Sequence, residues 1–150
     1  MLFVGGVCAL VSKQIQICKV DVDKPFDHLE ILCFDVVCRP SNLRFTLVYR
    51  PSSGVESDAC MSDLVEFLKS HHRLDCMNVI AGDFNCPKIS WDNLQCSTDR
   101  TYQLLLSCVI DCGLTQVVDF NTRLQNVLDS VLTDERQRIL KITSKPPLGP

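Results

Sequence analysis

The chain has 150 residues, room for one domain and too few for two good ones. Hydrophobic residues make up 46% and charged residues 22%, an ordinary globular balance that excludes wholesale disorder. Fifteen Lys and Arg against eighteen Asp and Glu give a formal charge of -3, which excludes a nonspecific coating of nucleic acid but leaves room for a local basic patch. The first fifty residues read as strands. GGVCALVS, QIQICKVD, LEILCFDVVC and LRFTLVYRP are short runs rich in Val, Ile, Leu, Phe and Cys. Polar breaks at Ser12-Lys13, Asp23-Lys24-Pro25 and Pro40-Ser41-Asn42 separate them, and a spacing of about ten residues predicts an antiparallel meander. The opening MLFVGGVCALVSK is read as a buried strand rather than a signal peptide. No basic residue precedes its apolar run, and no small-x-small cleavage site follows. No stretch reaches the roughly eighteen apolar residues of a membrane helix, so no membrane partner is expected.

After a loop at Pro51-Ser52-Ser53-Gly54 the period changes. Leu64, Phe67 and Leu68 recur at helical spacing between Ser57 and Arg73, with Ser57 placed as an N-cap. CMNVIAGDFN reads as a strand and PKISWDNLQCS as an irregular loop. Asp99 to Cys112 reads as a second helix, with Tyr102, Leu105, Leu106, Val109 and Ile110 on or near one face and Gly113 ending it. LTQVVDF, NVLDSVLTD and RILKITS read as three further strands, and PPLGP as a closing loop. The order β-β-β-β-α-β-α-β-β-β, with hairpins before helices, predicts a mixed α/β layered domain and not a doubly wound parallel sheet.

Ten cysteines are many for this length, yet they form no CxxC and no Cys/His cluster of zinc-finger spacing. Most lie in apolar runs, where a reduced Cys behaves as a small buried hydrophobe. Reduced structural cysteines are therefore favoured over a disulfide framework.

Chemistry concentrates at Gly82-Asp83-Phe84-Asn85, at the exit of an apolar strand. On an extended backbone side chains two apart point the same way, so Asp83 and Asn85 are expected to face one pocket. A carboxylate can hold or deprotonate a water, and a carboxamide can donate to a phosphate oxygen. The plainer alternative is an Asx turn closing the strand.

Three separated stretches, LRFTLVYRPSS, NVIAGDFNCPKISWDN and GLTQVVDFNTRLQNVLDSVLTDE, stand in the order and spacing of one family. The chain resembles the endonuclease/exonuclease/phosphatase superfamily, in the branch of endonuclease domains encoded by non-LTR retrotransposons. The resemblance covers nearly all 150 residues. It implies a partial domain over residues 1–150, an incomplete four-layered α/β sandwich of the DNase I-like type. It implies Mg²⁺-assisted phosphodiester hydrolysis, a DNA substrate nicked for retrotransposition, a parent protein carrying a reverse transcriptase, and access to the nucleus. By this resemblance Asp83 positions or activates the attacking water and Asn85 holds the scissile phosphate. Tyr49 contacts that phosphate through its phenol, and Asp129 orients a catalytic histidine. Arg50 and Arg123 are the candidate nucleic-acid contacts, Arg123 alternatively a loop ion pair, while Trp91 is read as packing. Asn121 stands where the branch has Pro, a departure confined to a loop.

Two expected parts have no counterpart in the sequence. The family's metal-binding Glu precedes the Gly5-Gly6-Val7 segment, and Glu30 and Glu56 sit in no matching motif, so no metal site is complete. The family's Ser-Asp-His follows a loop like Pro146-Pro147-Leu148-Gly149-Pro150, and His28, His71 and His72 lie elsewhere. His71 and His72 are expected as exposed residues of a helix C-terminal turn. The chain alone is accordingly expected to be inactive and marginally stable. Alternatives are a non-catalytic nucleic-acid or protein interaction remnant, a cysteine-rich metal or disulfide protein, and a gene-model fragment.

Overall fold

A computed structural model describes residues 2–4, 6–22, 26, 28–51 and 57–145. The expected turn at Asp23-Lys24-Pro25, the loop at Ser52-Ser53-Gly54, Glu56 and the closing Pro146–Pro150 lie outside the described residues.

Alternating apolar residues build a six-stranded sheet. In chain order its strands are β3 (Ile17–Val20), β4 (Glu30–Val36), β5 (Leu43–Tyr49), β6 (Met77–Asp83), β9 (Thr115–Gln116) and β10 (Asp129–Thr133). In space they run β3-β4-β5-β6-β10-β9, and every pair is antiparallel except β5 with β6. That parallel pair needs a crossover, supplied by helix α1 (Ser57–His71). Helix α2 (Arg100–Asp111) connects β6 to the far edge of the sheet.

Both helices lie on one face. Leu64, Phe67 and Leu68 of α1 and Leu105, Leu106 and Val109 of α2 pack with Ile31, Val48, Ile80 and Leu132 of the sheet. Cys108 joins that face whereas Ile110, expected there, is exposed. The helix ends follow their capping residues. Asp99 accepts a hydrogen bond from Thr101 N–H at 3.0 Å. At the other end Gly113 adopts φ +65°, its N–H donates to Ile110 O and the Leu114 N–H to Val109 O, both at 2.9 Å. This doubly bonded ending satisfies two carbonyls that the helix leaves orphaned. Helix α1 begins at Ser57, and the expected cap lies outside the described side chains.

The opposite face is partly covered by a hairpin, β1 (Leu2–Val4) with β2 (Val7–Ala9), which forms its own two-stranded sheet. Ala9, Leu32 and Phe34 pack there, with Val7, Phe45 and Leu47 against them, and Phe34 stacks on Phe45 at 5.6 Å. The expected single meander is therefore broken. Only β3-β4-β5 runs as one, and the first apolar run folds over the sheet instead of joining it.

Two other expectations change. PKISWDNLQCS contains a small hairpin, β7 (Ile89–Ser90) with β8 (Gln95–Cys96), because Ile89 buries into the helix-side core. RILKITS is not a strand. A turn of 3-10 helix occupies Arg136–Arg138 and residues 139–145 carry no regular structure. Strand β10 already has β6 on one side and β9 along Leu132 and Thr133 on the other. The ten cysteines form no disulfide, and five of them, Cys33, Cys60, Cys76, Cys86 and Cys108, are buried. No helix among the described residues is long and apolar enough to cross a membrane.

Candidate functional site

Register brings the candidate residues together. Tyr49 ends β5 opposite Asp83, which ends β6 opposite Asp129, which starts β10. Glu30 of β4 pairs with Tyr49 on the other side. Four neighbouring strands thus deliver Glu30, Tyr49, Asp83 and Asp129 as one row, on the face away from the helices. The two-residue alternation explains the facing, because Val48 and Phe84 on either side of the row's members point into the helix-side core.

Gly82 makes this close pairing possible. A Cβ there would stand 1.8 Å from Val48 O, and its φ is +148°. No other residue fits both the approach and the conformation. Phe84 anchors the motif from below, fully buried, with its N–H donating to Leu128 O at 2.9 Å.

Beyond Asp83 the backbone stops being extended. Asn85 takes the left-handed φ of +49°, and its N–H donates to the Asp83 carboxylate at 3.1 Å. The Asx turn is therefore present, and the alternation that was to aim Asp83 and Asn85 into one pocket ends one residue early. The Asn85 carboxamide is 8% exposed and its Nδ2 donates to Arg50 O at 2.7 Å. Arg50 also departs from expectation. It is 2% exposed, with Nε donating to Phe84 O and Nη2 to Asn85 O, each at 2.7 Å. A guanidinium spent on those carbonyls beneath the motif does not reach out to a nucleic-acid backbone.

Arg123 is the cation that does face the row. Its Nη2 lies 3.5 Å from the Asp83 carboxylate while its side chain stays 59% exposed. A tight turn holds it there: the Arg123 and Asn126 main chains bond each other in both directions, with Leu124 at φ +53° between them. Thr122 Oγ1 accepts from the N–H groups of both Leu128 (2.9 Å) and Asp129 (3.0 Å). That double acceptance ties Thr122 and Arg123 to Leu128 and Asp129, and the sequence reading missed it. Trp91 packs against the helix-side core, as read from sequence, with its indole nitrogen shielded and, among the described residues, lacking a hydrogen-bond partner.

Electrostatics tune the central carboxylate. Burial pushes the Asp83 carboxyl above its ordinary value; the Asn85 N–H opposes this, the charge of Asp129 adds to it, and Arg123 and Arg50 pull back down. Nearby, burial pushes the Cys86 thiol up to about 11, so it stays protonated beneath the motif. A groove of about 400 Å³ runs beside Asp129, walled by Ala81, Val118, Phe120, Thr122, Val131 and the 142–145 segment.

The histidines are elsewhere. His28 Nδ1 lies 2.7 Å from Asp63 on α1, and His71 stacks on Phe67 at 4.4 Å. His72 sits 3.3 Å from Asp134 at the far end of the sheet. His71 and His72 are half-buried, not exposed as expected, because the end of α1 packs down on Phe26 and the sheet. Among the described residues no group of three His, Cys, Asp or Glu side chains is arranged to hold a metal ion. The row's carboxylates do not by themselves make the family's metal site.

Residues 43–148 match the family described as endonuclease-reverse transcriptase, of the endonuclease/exonuclease/phosphatase type. The chain belongs to the endonuclease/exonuclease/phosphatase family. Among solved structures, it is similar to the endonuclease domain of TRAS1, a telomere-specific non-LTR retrotransposon. Identity there is 14% and the TM-score 0.55, over 83% of this chain and 57% of that one. The catalytic domain of human nocturnin with bound sulfate matches at 13% identity and TM-score 0.49, over 71% and 42% of the two chains. A humanised D. rerio TDP2 matches at 13% and 0.48, over 83% and 52%. This chain therefore spans little more than half the length of the TRAS1 domain. No curated protein matches by sequence. The endonuclease/exonuclease/phosphatase fold, a mixed α/β layered domain of the DNase I-like type, is the one that the motifs predicted.

Proposed function

We propose that the row is the phosphodiester-facing half of a DNA endonuclease site, in a partial domain over residues 1–150 whose parent also carries a reverse transcriptase. The observation that carries this reading is the register of Tyr49, Asp83 and Asp129 on three adjacent strands, with Arg123 against Asp83. Asp83 orients and deprotonates the attacking water, and its raised pKa suits a general base. Tyr49, 40% exposed, offers its phenol to the phosphate. Asp129 supplies the carboxylate that would orient a histidine, and Arg123 turns from Asp83 to the DNA backbone when substrate arrives. Asn85 contributes through its place in the turn, and through its carboxamide only if that group leaves Arg50 O.

Hydrolysis in this family is metal-assisted, with Mg²⁺ the ion that we assign to it. The described residues offer no complete ligand set, and no histidine stands in the row. We infer that the chain alone is inactive, since removing one member of a catalytic unit costs on the order of 10⁴ to 10⁶ in turnover. Supercoiled plasmid with Mg²⁺ should stay intact, and turnover that Asp83→Ala abolishes would overturn this part of the reading. The exposed Arg123 beside the row favours a second reading, a remnant that binds nucleic acid or protein without catalysis. Binding to a labelled DNA duplex in EDTA, weakened by Arg123→Ala, would support DNA as its ligand.

A further inference from the structure

Arg50 occupies the position after Tyr49, where a strand-end arginine would ordinarily be solvated. Instead its side chain turns under the end of the sheet and is 2% exposed. The guanidinium donates through Nε to Phe84 O and through Nη2 to Asn85 O. Two more hydrogen bonds tie its backbone to the same motif. The Arg50 N–H donates to Asp83 O at 3.0 Å, and Asn85 Nδ2 donates to Arg50 O at 2.7 Å. Burying a permanent cation is costly unless it is bonded, and an apolar side chain of similar size would pack as well or better. What an apolar residue could not do is hold two consecutive carbonyls in a planar fork.

The consequence runs through one peptide plane. Phe84 C=O and Asn85 N–H belong to the same peptide unit and point in opposite directions. Pinning the carbonyl on Arg50 below aims the N–H upward, where it meets the Asp83 carboxylate at 3.1 Å. The left-handed backbone of Asn85, uncommon outside glycine, needs such over-determination to persist. We propose that Arg50 is a positioning residue: its fork fixes the 84–85 peptide so that the Asp83 carboxylate is held, hydrogen-bonded and aligned, beside Tyr49. The proposal deepens the phosphodiesterase reading above and rests on Asp83 being the reacting carboxylate, but Arg50 itself touches no substrate.

The test needs no turnover. Carboxyl-carbon NMR follows the titration of Asp83, assigned by the signal lost in Asp83→Asn. Arg50→Lys keeps the charge but cannot bridge both carbonyls, so the Asp83 midpoint should rise by about half a pH unit as the Asn85 N–H loses its aim. Exchange of that N–H should quicken by about tenfold. A merely structural role would lower the melting temperature and leave both readouts of the folded protein unmoved, and that result overturns the proposal. If Arg50→Lys does not fold, the wild type decides: an Arg50 Nε–H protected from exchange and coupled to the Phe84 carbonyl carbon supports the fork, and a freely exchanging one overturns it. Plasmid turnover that Asp83→Ala abolishes would overturn the inactivity of the chain and leave these outcomes as they stand.

Discussion

The Asp83 carboxyl ionises against its surroundings. Burial and the neighbouring Asp129 raise its folded pKa above the unfolded value, so folding favours the protonated form. Its stabilising contribution is present below the unfolded pKa and is lost as pH rises through the folded one. Asp83→Asn, which cannot ionise, should therefore melt higher than the wild type at neutral pH. The difference should close below about pH 4, and melts at both pH values check it. A lower neutral melting temperature would mean that Arg123 and Arg50 outweigh desolvation. At this scale the sequence was legible wherever strand alternation applied. Tyr49, Asp83 and Asp129 were named from motifs and stand side by side in the sheet. Asn85 lies in the Asx turn that was the plainer alternative, and Arg50 is not solvated, because a φ of +49° ends the alternation and a cation at a strand end carries no mark of being folded inward. The spacing of Thr122 from Asp129 was visible, but its reason, one hydroxyl accepting two N–H groups, is a matter of geometry.

Helix α2 is defined by its ends. Asp99 accepts from Thr101 N–H, and Gly113 supplies the left-handed residue after the last turn. Asp99→Ala should cost about 1 kcal/mol, read as a lower urea midpoint at unchanged slope. These caps are local chemistry, which is why the boundaries of α2 could be read from sequence. The strands were harder. RILKITS has the composition of a strand, yet a strand needs a partner, and partners are decided far away in the chain. The first apolar run has the same ambiguity. It was read as one buried strand and forms two, paired as a hairpin, and whether they extend the sheet or fold across it depends on Leu32, Phe34, Phe45 and Leu47 offering an apolar face.

For the whole molecule, the helix-side core joins both helices, the sheet and the motif. Phe67 is 1% exposed, meets Phe26 edge-on at 5.5 Å and lies in the cluster that also holds Phe84 of the motif. Phe67→Ala should destabilise by about 3 to 5 kcal/mol, and a loss under about 1 kcal/mol in a urea melt would show that this core is loosely packed. The opposite end of the sheet is held by polar contacts instead, with Arg44 bonding Asp35 through Nε at 2.8 Å and Nη2 at 3.0 Å. Layering was legible from the order of elements, because a crossover helix between two apolar strands leaves few alternatives. The face-by-face division was not, since it requires knowing which strands are neighbours.

The strand order β5-β6-β10 has a consequence during synthesis. Strands β5 and β6 can pair once α1 lies between them, so Tyr49 and Asp83 meet while the second half of the chain is still being made. Strand β10, which carries Asp129, is translated only after the β7–β8 hairpin, α2 and β9. Until it emerges, β6 has an open edge on the ribosome, a row of unpaired backbone groups able to capture another chain. The residue that completes the row is thus delivered by the same late strand that covers the edge of β6.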